Sequence, residues 1–86
     1  MGGLLRYNAR RRNQLPLDAS RVLDAFAHTY IVEFEPPQSQ AGISEWYVQV
    51  RLSGEPICAG YYGATASEAA TSVAVSLGVC LDKAAA

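Results

Sequence analysis

The residues that could carry out catalysis are few, and their spacing does not bring them together. The only histidine, His28, is followed by a strand-like segment, and no nucleophile or orienting carboxylate is spaced to act with it. Glu33 and Glu35 alternate along that segment, where pairing with Arg51 of a neighbouring strand is the simpler use of a carboxylate. The sequence therefore predicts a protein that is not an enzyme and has no metal, cofactor or small-molecule substrate.

The glycines and cysteines also lack the spacing of a reactive site. Gly60 and Gly63 flank two tyrosines, but neither a third glycine nor a lysine follows as in a phosphate-binding loop, so a bulge or tight turn is expected there. Cys58 and Cys80 have no metal-ligand spacing and lie among apolar residues. Buried, reduced thiols are the expectation for both.

The composition is that of one folded domain. The chain has 86 residues, of which 50% are hydrophobic and 17% are charged. It contains no apolar run long enough to cross a membrane and no secretory pattern at its start, so a cytoplasmic protein without a membrane partner is expected.

Charge divides the chain into two parts. The first fourteen residues contain four arginines and no acid, whereas the remainder contains three basic residues against eight acidic ones. This division predicts a basic arm over residues 1–16, closed by Pro16, in front of an acidic domain over residues 17–86. Positive charge beside an aromatic ring suits a nucleic-acid backbone and its bases. The candidate nucleic-acid contacts are Arg6, Tyr7, Arg10, Arg11 and Arg12.

Two helices are predicted from apolar spacing and capping residues. Asp18 is expected to cap the first, whose apolar residues recur with helical period. These residues are Ala19, Val22, Leu23, Phe26 and Ala27. Thr65 and Glu68 form a capping box at the start of the second, in which each side chain is expected to bond the other residue's backbone N–H. The apolar residues of the second helix are Ala69, Ala70, Val73, Ala74, Leu77 and Leu81, and Gly78 weakens or ends it.

Three strands are predicted between the helices. Apolar residues alternate over 30–35, 45–52 and 57–62, and the short connections favour an antiparallel meander. The predicted fold class is α+β in the order α-β-β-β-α, with a three-stranded antiparallel sheet and both helices packed on the face that carries Val32, Phe34, Trp46, Val48 and Val50.

Two surfaces are candidates for binding a protein partner. One is the outer sheet face, where tyrosine and arginine, residue types enriched at binding hot spots, accompany polar side chains. The other is the outer side of the last helix, which has no charged residue from Ala69 to Leu81. The predicted protein-binding residues are Glu33, Tyr47, Gln49, Arg51, Tyr62, Thr71, Ser72 and Ser76.

The order of elements over residues 17–83 resembles that of the double-stranded RNA-binding domain, whose second helix would begin near Ser67-Glu68-Ala69-Ala70. The resemblance implies that family's fold. The lysines with which the family holds phosphates have no counterpart beside Glu68, and the turn at residues 53–56 lacks the family's histidine. Duplex RNA binding is therefore not implied.

Residues 29–77 resemble the HicB antitoxin family. Gly63, Thr65, Glu68 and Ala69 match the G-x-T-x-x-E-A helix entry of that family, after two strands that contain Tyr30-Ile31-Val32 and Trp46-Tyr47-Val48. The resemblance implies a partial RNase H-like fold and a small protein that neutralises a protein partner.

Together these features predict a non-catalytic protein-binding regulator, an inhibitor or antitoxin-like neutraliser of the kind that includes phage-encoded anti-CRISPR proteins. Two alternatives remain open at this point. One is a nucleic-acid-binding protein that uses the arginine-rich arm, and the other is a structural subunit whose last helix packs in a homodimer or larger oligomer.

Overall fold

The computed structural model describes residues 4–78, apart from the side chain of Ser39. Its elements are β1 (Leu5–Arg6), α1 (Leu17–Asp24), β2 (Ile31–Glu35), β3 (Trp46–Arg51), β4 (Ile57–Gly63) and α2 (Ala66–Ser76), with short 3-10 helices at Arg12–Gln14 and Ser39–Ala41. The α+β class is confirmed, as is the order of the elements from α1 to α2. Cys80 and Leu81 lie outside the described residues.

The sheet has four strands, so the predicted number of three is wrong. All neighbours are antiparallel, in the order β1-β2-β3-β4. The additional strand comes from the predicted arm, where Leu5 pairs with Phe34 and Arg6 pairs with Glu33. A strand of two residues has no alternating pattern of its own. Its partner β2 follows only after α1 in the sequence, so local pattern does not reveal the pairing.

Register divides the sheet into a core face and an outer face. Phe34 pairs with Val48 and Val32 pairs with Val50, so these four side chains lie on the same face. All four are buried, as predicted, and they belong to one core cluster with residues of both helices. Leu52, predicted to point inward with them, follows the end of β3 and is exposed.

A β-bulge interrupts the pairing of β3 with β4. Val50 pairs with Ala59 and Arg51 pairs with Ile57, which leaves Cys58 as an additional residue in β4. Cys58 is exposed, so the expectation that it is buried is wrong. A bulge places the additional side chain out of the ordinary alternation, which apolar neighbours in the sequence do not reveal.

Gly60 and Gly63 allow close packing and do not form the bulge or turn expected of them. A Cβ at Gly60 would collide with the hydroxyl of Tyr47, whose ring lies across the strand. A Cβ at Gly63 would lie 2.6 Å from the backbone nitrogen of Ala69. The glycine at the end of β4 therefore permits the first turn of α2 to approach the sheet.

Helix α1 begins one residue before the predicted cap. Pro16 occupies the N-cap position in an extended conformation, and the Asp18 carboxylate accepts a hydrogen bond of 3.0 Å from the backbone N–H of Ala19. Proline is suited to the N-terminus of a helix, because its φ is fixed near the helical value and because no intrahelical hydrogen bond requires a backbone N–H at that position. Ala19, Leu23 and the following Phe26 are buried, whereas Ala27 is exposed.

Helix α2 begins at the predicted capping residue. The Thr65 hydroxyl accepts from the backbone N–H of Glu68 at 3.1 Å. The Glu68 carboxylate accepts from the N–H of Ala64 at 2.9 Å and not from that of Thr65, so the return bond is displaced by one residue. The helix ends at Ser76, and Gly78 then adopts a φ of 76°, the left-handed conformation that commonly terminates helices.

Candidate protein-binding surfaces

Tyr7 of the predicted arm is buried and fastens the arm to α1. Its hydroxyl donates to the Asp24 carboxylate at 2.6 Å and approaches the Ser20 carbonyl oxygen at 3.2 Å. Its backbone N–H donates to the Val32 carbonyl at 2.8 Å. Burial raises the pKa of Tyr7, and the hydrogen bond to Asp24 raises it further. The ring is therefore packed in the core, where it cannot stack on a base.

Arg12 is held by the same carboxylate. Its guanidinium donates through Nη2 to Asp24 Oδ2 at 2.8 Å and through Nε to the same atom at 3.1 Å, a two-pronged contact. The Arg12 guanidinium lowers the pKa of Asp24, and the hydrogen bond from Tyr7 lowers it too. Two of the five predicted nucleic-acid contacts thus bind Asp24.

The remaining three arginines of the arm do not form a patch with a free aromatic ring. Arg6 pairs with Glu33 across the sheet, where its charge helps to lower the carboxyl pKa. Arg11 donates from Nη1 to the Arg6 carbonyl at 3.2 Å, and Arg10 is exposed. Arg6 and Arg10 are exposed and Arg11 lies beside Arg6, so these three predicted contacts lie at or near the surface without the predicted aromatic ring.

The outer sheet face carries a connected set of polar side chains. Arg51 Nε donates to Glu33 Oε1 at 2.9 Å, which is the pairing expected from the sequence. Gln49 Nε2 donates to the same Glu33 oxygen at 2.9 Å, and the Tyr47 hydroxyl donates to Gln49 Oε1 at 3.0 Å. The Arg51 hydrogen bond is the main cause that lowers the pKa of Glu33.

Tyrosine rings cover the centre of this polar set. The rings of Tyr47 and Tyr62 lie 4.8 Å apart between centroids, and burial raises the pKa of Tyr47. Gln49 is only 5% exposed although it lies on the outer face. Four of the predicted binding residues, Glu33, Tyr47, Gln49 and Arg51, therefore bind one another, and Tyr62 alone of the five on this face has a largely exposed ring, at 61%.

The outer side of α2 forms an open groove against β4. The groove has a volume of about 340 Å³ and is lined by Tyr61, Thr71, Ser72, Val75 and Ser76. The Tyr61 hydroxyl donates to Ser76 Oγ at 3.1 Å across it, and Val75 beside it is 68% exposed. All three residues predicted on this helix lie together in the groove.

Three exposed residues of β4 and α2 were not predicted as binding residues: Ile57, Tyr61 and Val75. Val75 could have been found, because it follows Thr71 by four residues on the same helical face. Tyr61 pairs with Val48 and so lies on the core face of the sheet, but its hydroxyl reaches Ser76 of α2 at the edge. We call these three residues, with Tyr62 and the predicted helix residues, the β4–α2 strip: Ile57, Tyr61, Tyr62, Thr71, Ser72, Val75 and Ser76.

The described residues contain no cluster of three or more histidine, cysteine or acidic side chains that could hold a metal ion. Neither helix in residues 4–78 is long and apolar enough to cross a membrane.

Comparison with known proteins gives no match to any family model, curated protein or solved structure. The resemblances to the HicB antitoxins and to the double-stranded RNA-binding domain therefore stay predictions.

Proposed function

We propose that the chain is a non-catalytic protein-binding regulator, an inhibitor or antitoxin-like neutraliser that covers the surface of a cytoplasmic partner protein with its β4–α2 strip. One observation carries the proposal: β4 and α2, which pack against each other, carry four large exposed hydrophobic side chains. They are Ile57, Tyr61, Tyr62 and Val75.

The chemistry of the strip suits a protein partner. Neither β4 nor the helix from Ala69 to Ser76 contains a charged residue, so little charge must lose its water when a partner binds. Tyr61 and Tyr62 supply large rings with a polar end, a type of side chain that recurs at the centre of interfaces. Their two rings belong to opposite faces of β4, so a partner that grips the edge would meet both.

The proposal can be tested with matched lysine substitutions. Thr71→Lys places a charge in the groove, whereas Thr29→Lys places the same charge on an exposed loop residue between α1 and β2. Lysine has a higher helix propensity than threonine, so the first variant should fold as well as the wild type. Circular dichroism and thermal unfolding verify this.

The readout is the capture of a partner protein by the tagged chain from a lysate of cells that express it. The capture is performed with and without nuclease treatment of the lysate. The wild type and Thr29→Lys should capture the same amount of the partner. Thr71→Lys should capture at least about ten-fold less, because an unpaired charge would be buried in the interface. Equal capture by both variants would place the interface elsewhere. A partner that disappears with nuclease treatment would indicate a nucleic-acid-binding protein instead.

A further inference from the structure

The open edge of β4 is the longer of the two edges of the sheet. We infer that it pairs, antiparallel, with β4 of a second copy of the chain, about a two-fold axis perpendicular to the sheet. The result is a dimer with a continuous eight-stranded sheet. This inference uses the same strip as the proposed function but requires no other protein, so each is tested separately.

The strand has the properties of a pairing edge. Among residues 4–78 it has β3 as its only strand neighbour, so every second backbone N–H and C=O of its seven residues faces away from the sheet. Lysine, proline and inward charges commonly protect such edges, and Ile57–Gly63 contains none of them, although its bulge is another such feature. The bulge at Cys58 restricts regular pairing to the part that follows it.

The same axis brings the two copies of α2 together. Rotation about a line perpendicular to the sheet keeps both core faces on the same side, so the helices lie on that side in both copies. Helix α2 packs on β3 and β4, and its outer side turns toward the open edge, where Tyr61 reaches Ser76. Thr71 and Val75 would then face their counterparts, and small side chains such as Ser72 permit close approach.

Charge favours a second copy as the occupant. In a two-fold interface a charged residue close to the axis would lie beside its own copy and be repelled. The strip avoids this cost because it carries no charged residue. The one acid of the two elements, Glu68, is at the opposite end of α2 from Ser76 and caps the helix.

The size of the strip indicates a weak dimer. The five residues of β4 that follow the bulge, 59–63, are about 17 Å long, and one sheet layer with one helix layer is about 20 Å deep, which gives roughly 350 Å² per copy. The total of about 700 Å² is below the usual range for stable complexes, so the dimer is a weak one. A dissociation constant in the micromolar range is expected, so that a tighter partner could displace the second copy.

The experiment is sedimentation velocity of the purified chain from about 5 µM to about 500 µM, the range in which a micromolar dimer forms. The wild type and Thr29→Lys should change from monomer to dimer together, and Thr71→Lys should raise the dissociation constant at least about ten-fold. Amide hydrogen exchange by NMR should show that outward-facing β4 amides gain protection as concentration increases.

Three results would overturn the inference: a monomer at every concentration, a dimer that Thr71→Lys leaves unchanged, or a dimer in which the β4 amides remain unprotected. A failed dimer together with capture of a partner that Thr71→Lys abolishes would leave the proposed function intact. Dimerisation without such capture would support the dimer and contradict the proposed function.

Discussion

Substitution of Tyr7 measures whether the N-terminal segment is part of the folded structure. Its ring is 6% exposed in the core cluster, and its hydroxyl binds Asp24 at 2.6 Å. Tyr7→Phe removes the hydroxyl alone, whereas Tyr7→Ala removes the ring as well. If residues 4–16 were a detached arm, neither change would affect the free energy of unfolding.

The expected losses differ between the two variants. A hydrogen bond to a charged group contributes about 1.5–3 kcal/mol, but Asp24 has a side chain that is 42% exposed and keeps its contact with Arg12, so about 1 kcal/mol is expected for Tyr7→Phe. Truncation of a buried aromatic ring costs about 3–5 kcal/mol, and Tyr7→Ala should fall in that range. A chain of 86 residues has a total stability of about 4–13 kcal/mol, so the alanine variant should be close to unfolding.

Urea denaturation followed by circular dichroism gives these free energies directly. Tyr7→Phe should also lower Tm by about 4–8 °C. Arg10→Ala is the control, since Arg10 is exposed and its substitution should change the unfolding free energy by less than about 0.5 kcal/mol. A loss below about 1 kcal/mol for Tyr7→Ala would refute the packing of β1 and its following residues against α1.

Two further predictions concern stability. Gly63→Ala should lower the free energy of unfolding by about 2–3 kcal/mol, because the new Cβ meets a backbone nitrogen that cannot move without displacing α2. Gly60→Ala should lower it less, because its Cβ meets the movable end of the Tyr47 side chain. The unfolding free energy should fall in acid, because Asp24 and Glu33 have pKa values below their ordinary 3.8 and 4.5. The unfolded chain then binds more protons, so the stabilisation is present above about pH 4.5 and disappears as pH falls through the two lowered values.

Urea midpoints provide the measurement for both. A larger loss in Gly60→Ala than in Gly63→Ala would contradict the packing described for α2. For the acid effect, midpoints at pH 6 and pH 3 should differ less in Glu33→Gln than in the wild type, since the variant lacks one of the two carboxyls. Identical midpoints at the two pH values in the wild type would contradict the lowered pKa values.

The parts of the fold that local pattern governs could be predicted. Strand β3 alternates clearly, and Val48 and Val50 are buried as expected. Thr65 caps α2 because a hydroxyl at that position satisfies a helix N–H whatever the rest of the chain does. The uncharged outer side of α2 could be predicted too, since the sequence contains no charged residue from Ala69 to Leu81.

The parts that distant contacts govern could not be predicted. Strand β1 is only two residues long. Tyr7 forms a hydrogen bond with Asp24, seventeen residues later in the sequence, and no periodic pattern predicts such a contact. The four arginines near the start therefore predicted only a basic arm in front of the domain, and the sequence does not reveal that Arg12 is held by that same carboxylate. Similarly, the alternation of Gln49 and its neighbours predicted an open polar face, whereas Gln49 is buried and hydrogen-bonded to Glu33 and Tyr47.

The unequal edges of the sheet also set a limit on how many chains can join. A sheet with two long free edges can add molecules head to tail without end, which is how fibrils begin. Here one edge, β4, has seven residues, and the other, β1, has two. A strand of two residues offers an incoming β4 too few backbone partners to hold it. Within residues 4–78, growth of the sheet by the addition of further chains is therefore confined to the β4 edge, and a dimer that pairs two such edges leaves only the two short β1 edges.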